Sequence, residues 1–383
     1  QDYPLITVVS PSGQIQQFST PPEEEKKVRL VHWVAPRMTP TDTHLWKLRT
    51  LVNRGCKILC VMNTVKEAQR VYKRLLRLGI DPDLIHARFL PQHRNQKTDA
   101  LLKLYGDGDS RKDGGGIVIS TQVTQESFDI CFDILVTQIC PFLEFIQRLG
   151  RLWRFSCLCR PAILNNPTCI LIRPPAPITK TSDFGKSALI YEDAIIVWRT
   201  MTILAGRKTL TLPKEQREVT EAIYQYTVKA FKTTEPQYAK DASSKYWQDC
   251  ERSISDANDR IAPVGPASRP SSRQTTRDGC LSTSVILSRS GHLLMGGQSL
   301  ESLTEQFQSK DWRVAMAARK LIEENSLTFY LYQVWDEKMQ GIFQPFPPLK
   351  NEKDYPKQWV IDLDKTDRFT YDETYGLLQG ELT

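Results

Sequence analysis

Among these 383 residues no apolar run approaches the roughly 20 that a membrane-spanning helix needs, so no helical membrane anchor is expected. Histidine is scarce, with five residues, and none of them precedes an aspartate, which leaves no His-Asp pair for a metal. The nine cysteines are odd in number and scattered. Cys157 and Cys159 are too close together for zinc ligands, and Cys56 and Cys60 flank or enter an apolar stretch. That usage suits reduced core thiols in a cytoplasmic protein. A Gly-x-x-x-x-Gly-Lys-Ser/Thr loop is also missing. Gly185-Lys186-Ser187 has Lys180 where the first glycine should stand, and Pro174–Pro177 before it does not read as a strand. The chain therefore carries no phosphate cradle of its own. Acidic metal boxes fail as well: Lys338-Met339 follows Asp336-Glu337, and Thr374-Tyr375 follows Asp372-Glu373. The stretch Asp107–Asp113 misses the glycine of a calcium loop and reads as a solvated turn. No residue is assigned to a metal. There is no internal repeat, and Gln1-Asp2-Tyr3 offers neither an initiator Met nor a signal peptide, as expected of an expressed or processed fragment.

The sequence does contain enough material for two modest domains, at 40% hydrophobic and 25% charged residues. The net charge of +7 suits a polyanionic partner, although acids are abundant too. Residues 1–40 read as a leading segment, with a possible strand over Val28–Val34. From residue 41, short apolar runs alternate with helical spacing. Strands are expected at Lys57–Met62, Asp83–Ala87, Ile117–Ser120, Phe132–Thr137 and Thr168–Ile172, with helices between them. That alternation implies an α/β lobe, over 41–173, with a parallel sheet covered by helices on both faces. Residues 174–225 read as a helical linker. Residues 226–383 read as a small α+β accessory domain, with a Pro/Ser/Arg-rich mobile linker at about 262–279 and a hairpin around Ser290-Gly291.

The most informative stretch is Phe142-Leu-Glu-Phe-Ile-Gln-Arg-Leu-Gly-Arg-Leu-Trp-Arg154. On a helix at about 100° per residue, Gln147, Arg151 and Arg154 fall within about 60° of one another, opposite an apolar face that includes Trp153. Gly150 lies beside the arginines and opens room for a bulky anion. Two guanidiniums aimed one way suit the charge that phosphoryl transfer builds on terminal phosphate oxygens. Periodicity alone favours an ordinary amphipathic helix with a solvated basic face.

The pattern Gln-x-x-Gly-Arg-x-x-Arg at the end of an α/β unit resembles motif VI of superfamily 2 helicases. Other stretches stand in the order that family requires. Cys60-Val-Met-Asn63-Thr64 resembles motif IV, with Thr64 facing a nucleic-acid phosphate or capping a helix, or both. His86-Ala-Arg88-Phe89 matches the family's strand-end His and Arg. Ser120-Thr121-Gln122-Val123, continuing to Asp129, resembles motif V. Taken together with Asn63-Thr-Val-Lys-Glu-Ala-Gln and Ile190-Tyr-Glu-Asp-Ala-Ile-Ile-Val-Trp198-Arg199-Thr200, this wording resembles the type I CRISPR-associated helicase–nuclease family, with subtype I-E nearest. The likeness covers residues 55–205.

The resemblance implies a second RecA-like helicase lobe followed by a C-terminal domain. It implies an ATP-dependent 3′-to-5′ translocase on single-stranded DNA, recruited by a crRNA-guided surveillance complex and working with a nuclease domain. ATP and Mg2+ would be held mainly by a first lobe, and a divalent metal by the nuclease domain, neither of which this sequence encodes. Arg151 and Arg154 would be catalytic, with Gln147, Gly150 and Asp129 at the nucleotide. Asn63, Thr64, His86, Arg88, Thr121 and Gln122 would face nucleic acid. Two departures stand out: Gln125-Glu126 replaces the family's usual order in motif V, and Trp153 stands where histidine is common. Two other readings compete, a non-catalytic DNA- or protein-binding module and an RNA helicase lobe.

Overall fold

The computed structural model describes residues 5–19, 25–107, 113–125, 128–155, 159–191, 193–224, 231–260, 282–330, 334, 341–346 and 358–380. The expected linker at 262–279, Glu126 and Cys157 lie outside the described residues. The chain forms two compact units, residues 1–85 with 100–248, and residues 86–99 with 249–383.

In the first unit, β1 (Leu5–Val9) and β2 (Ile15–Ser19) form an antiparallel hairpin. A seven-stranded sheet follows, built from β3 (Lys26–Val34), β4 (Lys57–Val61), β5 (Asp83–Ile85), β6 (Gly116–Ser120), β7 (Ile134–Gln138), β8 (Thr168–Arg173) and β9 (Thr209–Leu212), in the order β5-β6-β4-β7-β8-β3-β9. Every neighbouring pair is parallel except β3 with β9. All residues of β6 and β7 are buried, which is why these strands read as unbroken apolar runs rather than alternating ones. Two sheet strands lie beyond the expected limits of the lobe. β3 comes from the leading segment, and β9 from the stretch read as a helical linker.

Helices α1 (Asp42–Asn53), α2 (Val65–Arg77), α3 (Pro91–Tyr105) and α4 (Phe142–Leu149) connect the strands. Thr64 starts α2, its hydroxyl accepting the Glu67 amide at 3.2 Å. Ala68, Val71, Tyr72 and Leu75 then make the buried stripe. Val71 and Leu75 each contribute about 1.5–3 kcal/mol through burial. Then come α5 (Ala194–Ala205), α6 (Gln216–Tyr224) and α7 (Gln237–Arg260).

The second unit contains a five-stranded sheet of β10 (Ser282–Arg289), β11 (His292–Leu293), β12 (Ser326–Tyr330), β13 (Phe343–Phe346) and β14 (Gln358–Asp362), with α8 (Leu300–Phe307) and α9 (Trp312–Glu324). Alternation along β10 and β14 divides the core. Val285, Leu287, Trp359 and Ile361 enter one cluster with Leu90, while Ile286 and Val360 enter another with Leu303 and Ile322. A two-stranded hairpin, β15 (Phe369–Asp372) and β16 (Gly376–Gln379), supplies Phe369, Tyr371 and Leu377 to the Leu90 cluster. The expected hairpin at Ser290-Gly291 is present as β10–β11.

Candidate functional site

The stretch expected to be one helix through Arg154 stops at Leu149. Gly150 caps it, and Arg151 and Leu152 close a tighter turn through Arg151 N–H to Arg148 O (3.0 Å) and Leu152 N–H to Leu149 O (3.1 Å). Leu152 then bridges to Phe132 ahead of β7, and Trp153 takes a left-handed backbone with φ 47°. The helical projection is therefore corrected. Backbone pairing with the strand captures residues 151–153 before a further helical turn can form. Trp153 is half-buried rather than core, and its indole N–H donates to Asp133 O at 3.0 Å. Gly150 matters at close range, because an added Cβ would stand 3.1 Å from Gln147 O.

The turn still gathers the expected charges. Arg151 is buried and donates through Nε to Thr124 O (3.1 Å) and through Nη2 to Gln125 O (2.8 Å). Burial, then the neighbouring Arg154 guanidinium, hold its pKa below the usual arginine value. Arg154 is exposed and pairs through Nε with Asp129 Oδ1. Gln147 is exposed, and its Oε1 accepts from Gln125 Nε2 at 3.2 Å. Gln125 thus touches Gln147, Arg148 and Arg151 together.

Sequence reasoning passed over Arg148, which is fully buried and occupies the centre of the site. Its guanidinium donates to Gln125 Oε1 (2.9 Å), Thr137 Oγ1 (2.6 Å), Gln138 O (3.2 Å), Asn63 Oδ1 (3.0 Å) and the Tyr191 hydroxyl (2.8 Å). Those five acceptors come from the ends of β4 and β7, from the turn after β6 and from the segment before α5. An unexplained arginine beside an apolar helix face was the only available signal, and it did not name the partners.

Asn63 is buried and spent on structure. Its amide N–H donates to Gln138 Oε1 (2.7 Å), and Nδ2 donates to Ile139 O (2.8 Å) and Ser187 Oγ (2.9 Å). Ser187 belongs to the rejected Gly-Lys-Ser, which lies in a 3-10 segment, Thr181–Leu189. Thr121 is buried, and Gln122 donates to Asn63 O (3.0 Å) and the Tyr191 hydroxyl (3.3 Å). Thr64, half-buried at the N-terminus of α2, keeps the capping role. Asn63, Thr64, Thr121 and Gln122 therefore follow the ends of adjacent strands β4 and β6.

His86 and Arg88 belong to the second unit instead. His86 is fully buried, its Nδ1 accepting the Arg88 amide (3.1 Å) and its Nε2 hydrogen-bonded to Tyr375 O (3.0 Å). An accepting Nδ1 leaves the ring proton on Nε2, so the imidazole is neutral, and burial pushes its pKa down to about 3. The Arg88 guanidinium lies 4.4 Å from the Phe329 ring centre. Both ring nitrogens of His86 therefore face protein.

No group of three or more His, Cys, Asp or Glu able to hold a metal occurs among the described residues. No described helix is long and apolar enough to cross a membrane. What the site offers is one wall of cations and amides, with Gln147 and Arg154 reaching the surface.

A family model described as "CRISPR-associated nuclease/helicase Cas3, C-terminal" matches residues 54–157. The chain is 28% identical over 294 residues to the CRISPR-associated endonuclease/helicase Cas3 of Escherichia coli K12, covering 71% of this chain and 31% of that protein. It is 34% identical over 147 residues to Cas3 of Thermus thermophilus, covering 37% of this chain and 15% of that one. The crystal structure of T. fusca Cas3 with ATP superposes with a TM-score of 0.73 at 21% identity, covering 99% of this chain and 46% of that chain. A chain of a pre-nicking CRISPR RNA-guided surveillance complex gives 0.69 at 19% identity, over 98% and 48%. The chain thus spans less than half the length of each of these relatives. Residues 54–157 match the Cas3 C-terminal family model, and over nearly its whole length the chain is similar in fold to part of Cas3.

Proposed function

We propose that this chain is the C-terminal half of an ATP-dependent motor that moves 3′-to-5′ along single-stranded DNA in CRISPR interference, alongside a nuclease domain and a crRNA-guided surveillance complex. The observation that carries this reading is that Gln147 and Arg151 meet at Gln125, with Arg154 near Arg151 and paired to Asp129. Arg151 is held by backbone carbonyls, so its guanidinium is positioned before any nucleotide arrives. Arg154 can exchange the exposed Asp129 carboxylate for a phosphate oxygen, which costs little because solvent screens that ion pair.

ATP, when bound, supplies the phosphoryl group whose transfer drives movement. This chain's residues orient it and offset charge on its terminal oxygens, while a first lobe cradles the phosphates with Mg2+. The described residues do not fit the divalent metal of a nuclease, so that chemistry belongs to another domain. Thr64 and the Thr121–Gln122 turn, at the ends of neighbouring strands, are the proposed DNA-facing groups.

The chain alone should not hydrolyse ATP, since arginines without a phosphate cradle cannot position the nucleotide. Mixing it with a matching first-lobe fragment should restore DNA-dependent ATPase, and Arg151→Ala should lower that activity by about 10³-fold. Turnover by the isolated chain, or full restored activity in the Arg151→Ala variant, would sink this reading. Equal stimulation by RNA would sink the assignment to DNA.

A further inference from the structure

Within the first unit, the start of α4, the residues ahead of α5, the end of α6 and the middle of α7 enclose a half-open cleft of about 520 Å³. Four aromatic side chains line it, Tyr191, Tyr224, Tyr246 and Trp247, together with two carboxylates, Glu144 and Asp193. No lysine, arginine or histidine is among its described lining residues. In a chain of net charge +7 this is a local reversal of sign.

The walls are held in place by contacts of their own. The Tyr224 hydroxyl accepts the Leu143 amide at the first turn of α4 (3.2 Å). The Tyr191 hydroxyl accepts from Arg148 (2.8 Å), and Asp193 Oδ1 accepts from Ser243 Oγ (2.7 Å). The Tyr246 and Trp247 rings meet edge to face, with centres 5.7 Å apart. Burial, assisted by the nearby Glu144 carboxylate, pushes both the Tyr191 and Tyr224 phenols up to about 12, so neither ionises near neutrality. At the rim, Leu143, Ile190 and Trp247 are 49%, 43% and 37% exposed.

Ring faces beside carboxylates attract a guanidinium or ammonium, through the ring quadrupole and through charge-assisted hydrogen bonds. The same carboxylates repel a phosphate backbone, so nucleic acid is disfavoured. The volume exceeds what one cationic side chain fills and falls within the roughly 300–1,000 Å³ typical of ligand pockets. The apolar rim calls for apolar neighbours on either side of the cation.

We propose that this cleft docks a basic segment of a partner protein, with an arginine or lysine met by Glu144 and Asp193 and its apolar neighbours resting on Leu143, Ile190 and Trp247. The occupant would touch Tyr191, and through its hydroxyl Arg148. This binding does not depend on nucleotide turnover, so it stands or falls apart from the motor reading.

The test uses the purified chain and a fluorescent, end-blocked hexapeptide, Leu-Arg-Leu-Arg-Leu-Gly, followed by anisotropy. Saturable binding is expected, weakened tenfold or more in the Glu144→Gln/Asp193→Asn double variant and in Trp247→Ala. Leu143→Arg, at an exposed rim position that leaves the core intact, should weaken it similarly by presenting a cation at the mouth. Replacing both peptide arginines with glutamate should abolish binding. The proposal is overturned if the basic peptide does not saturate, if the glutamate peptide binds equally, or if Leu143→Arg has no effect. Displacement of the peptide by a single-stranded oligonucleotide would reassign the cleft to nucleic acid and overturn it as well.

Discussion

Arg148 is the most consequential single residue of the first unit. Its guanidinium is out of water and satisfied by neutral acceptors only, so removing it strands several buried polar groups. Arg148→Met should lower unfolding free energy by about 3–5 kcal/mol in urea titrations. Arg148→Lys should restore little, since one ammonium cannot reproduce a planar fork that reaches five acceptors. His86 gives a second prediction, for pH. Its pKa is about 3 in the fold against an ordinary 6.5, so the unfolded chain binds the extra proton. Its contribution is therefore fully present above pH 6.5 and lost as pH falls from there toward 3. The pH dependence of stability over that window should steepen by about 1.4 kcal/mol per pH unit. In His86→Gln that increment should vanish from chemical denaturation measured between pH 4 and 7.

At the scale of elements, the β15–β16 hairpin is fixed to the 86–93 segment by backbone and hydroxyl contacts. Leu377 N–H donates to Arg88 O (2.8 Å), and the Tyr371 hydroxyl meets the Leu90 amide (3.0 Å) and His93 Nδ1 (2.8 Å). Gly376 makes the approach possible. It has φ +69°, and an added Cβ would stand 2.6 Å from Arg88 O and 2.8 Å from His86 Cε1. Gly376→Ala combines backbone strain with a clash, and should cost about 2–4 kcal/mol by thermal or chemical unfolding. The element α4 shows the limit of periodicity. Its apolar spacing continues to Trp153, yet the helix ends at Leu149 because the following backbone pairs with Phe132. Arg151 and Arg154 converge through that turn rather than along a helical face.

For the whole molecule, the second unit is assembled from two distant parts of the chain, 86–99 and 249–383. A boundary placed between lobe and accessory domain in sequence order does not capture this. Leu90 is a fully buried member of the core that holds Trp359, Phe369 and Leu377. The piece 249–383 expressed alone should therefore lack part of its core and show poor amide dispersion by NMR, improving when a peptide of residues 86–99 is added. In the piece 1–248, hydrogen exchange over 86–99 should be accelerated by orders of magnitude relative to the whole chain.

The sequence by itself determined the α/β lobe and most of its strands, because buried parallel strands demand apolar runs that nothing else explains. It also indicated most of the motifs that share the lobe, since their order and residue types are local, but not that the His86–Arg88 motif belongs to the second unit. Tertiary structure alone decided what those residues touch. Asn63 was legible as a strand-end polar group, but its use as a buried partner of Arg148 depends on a residue 85 positions away. His86 read as an outward contact because nothing nearby in sequence announces Tyr375, 289 positions on. Burial and hydrogen-bond satisfaction are set by neighbours in space, so a pattern can propose a polar residue's role but cannot show which side of it faces water.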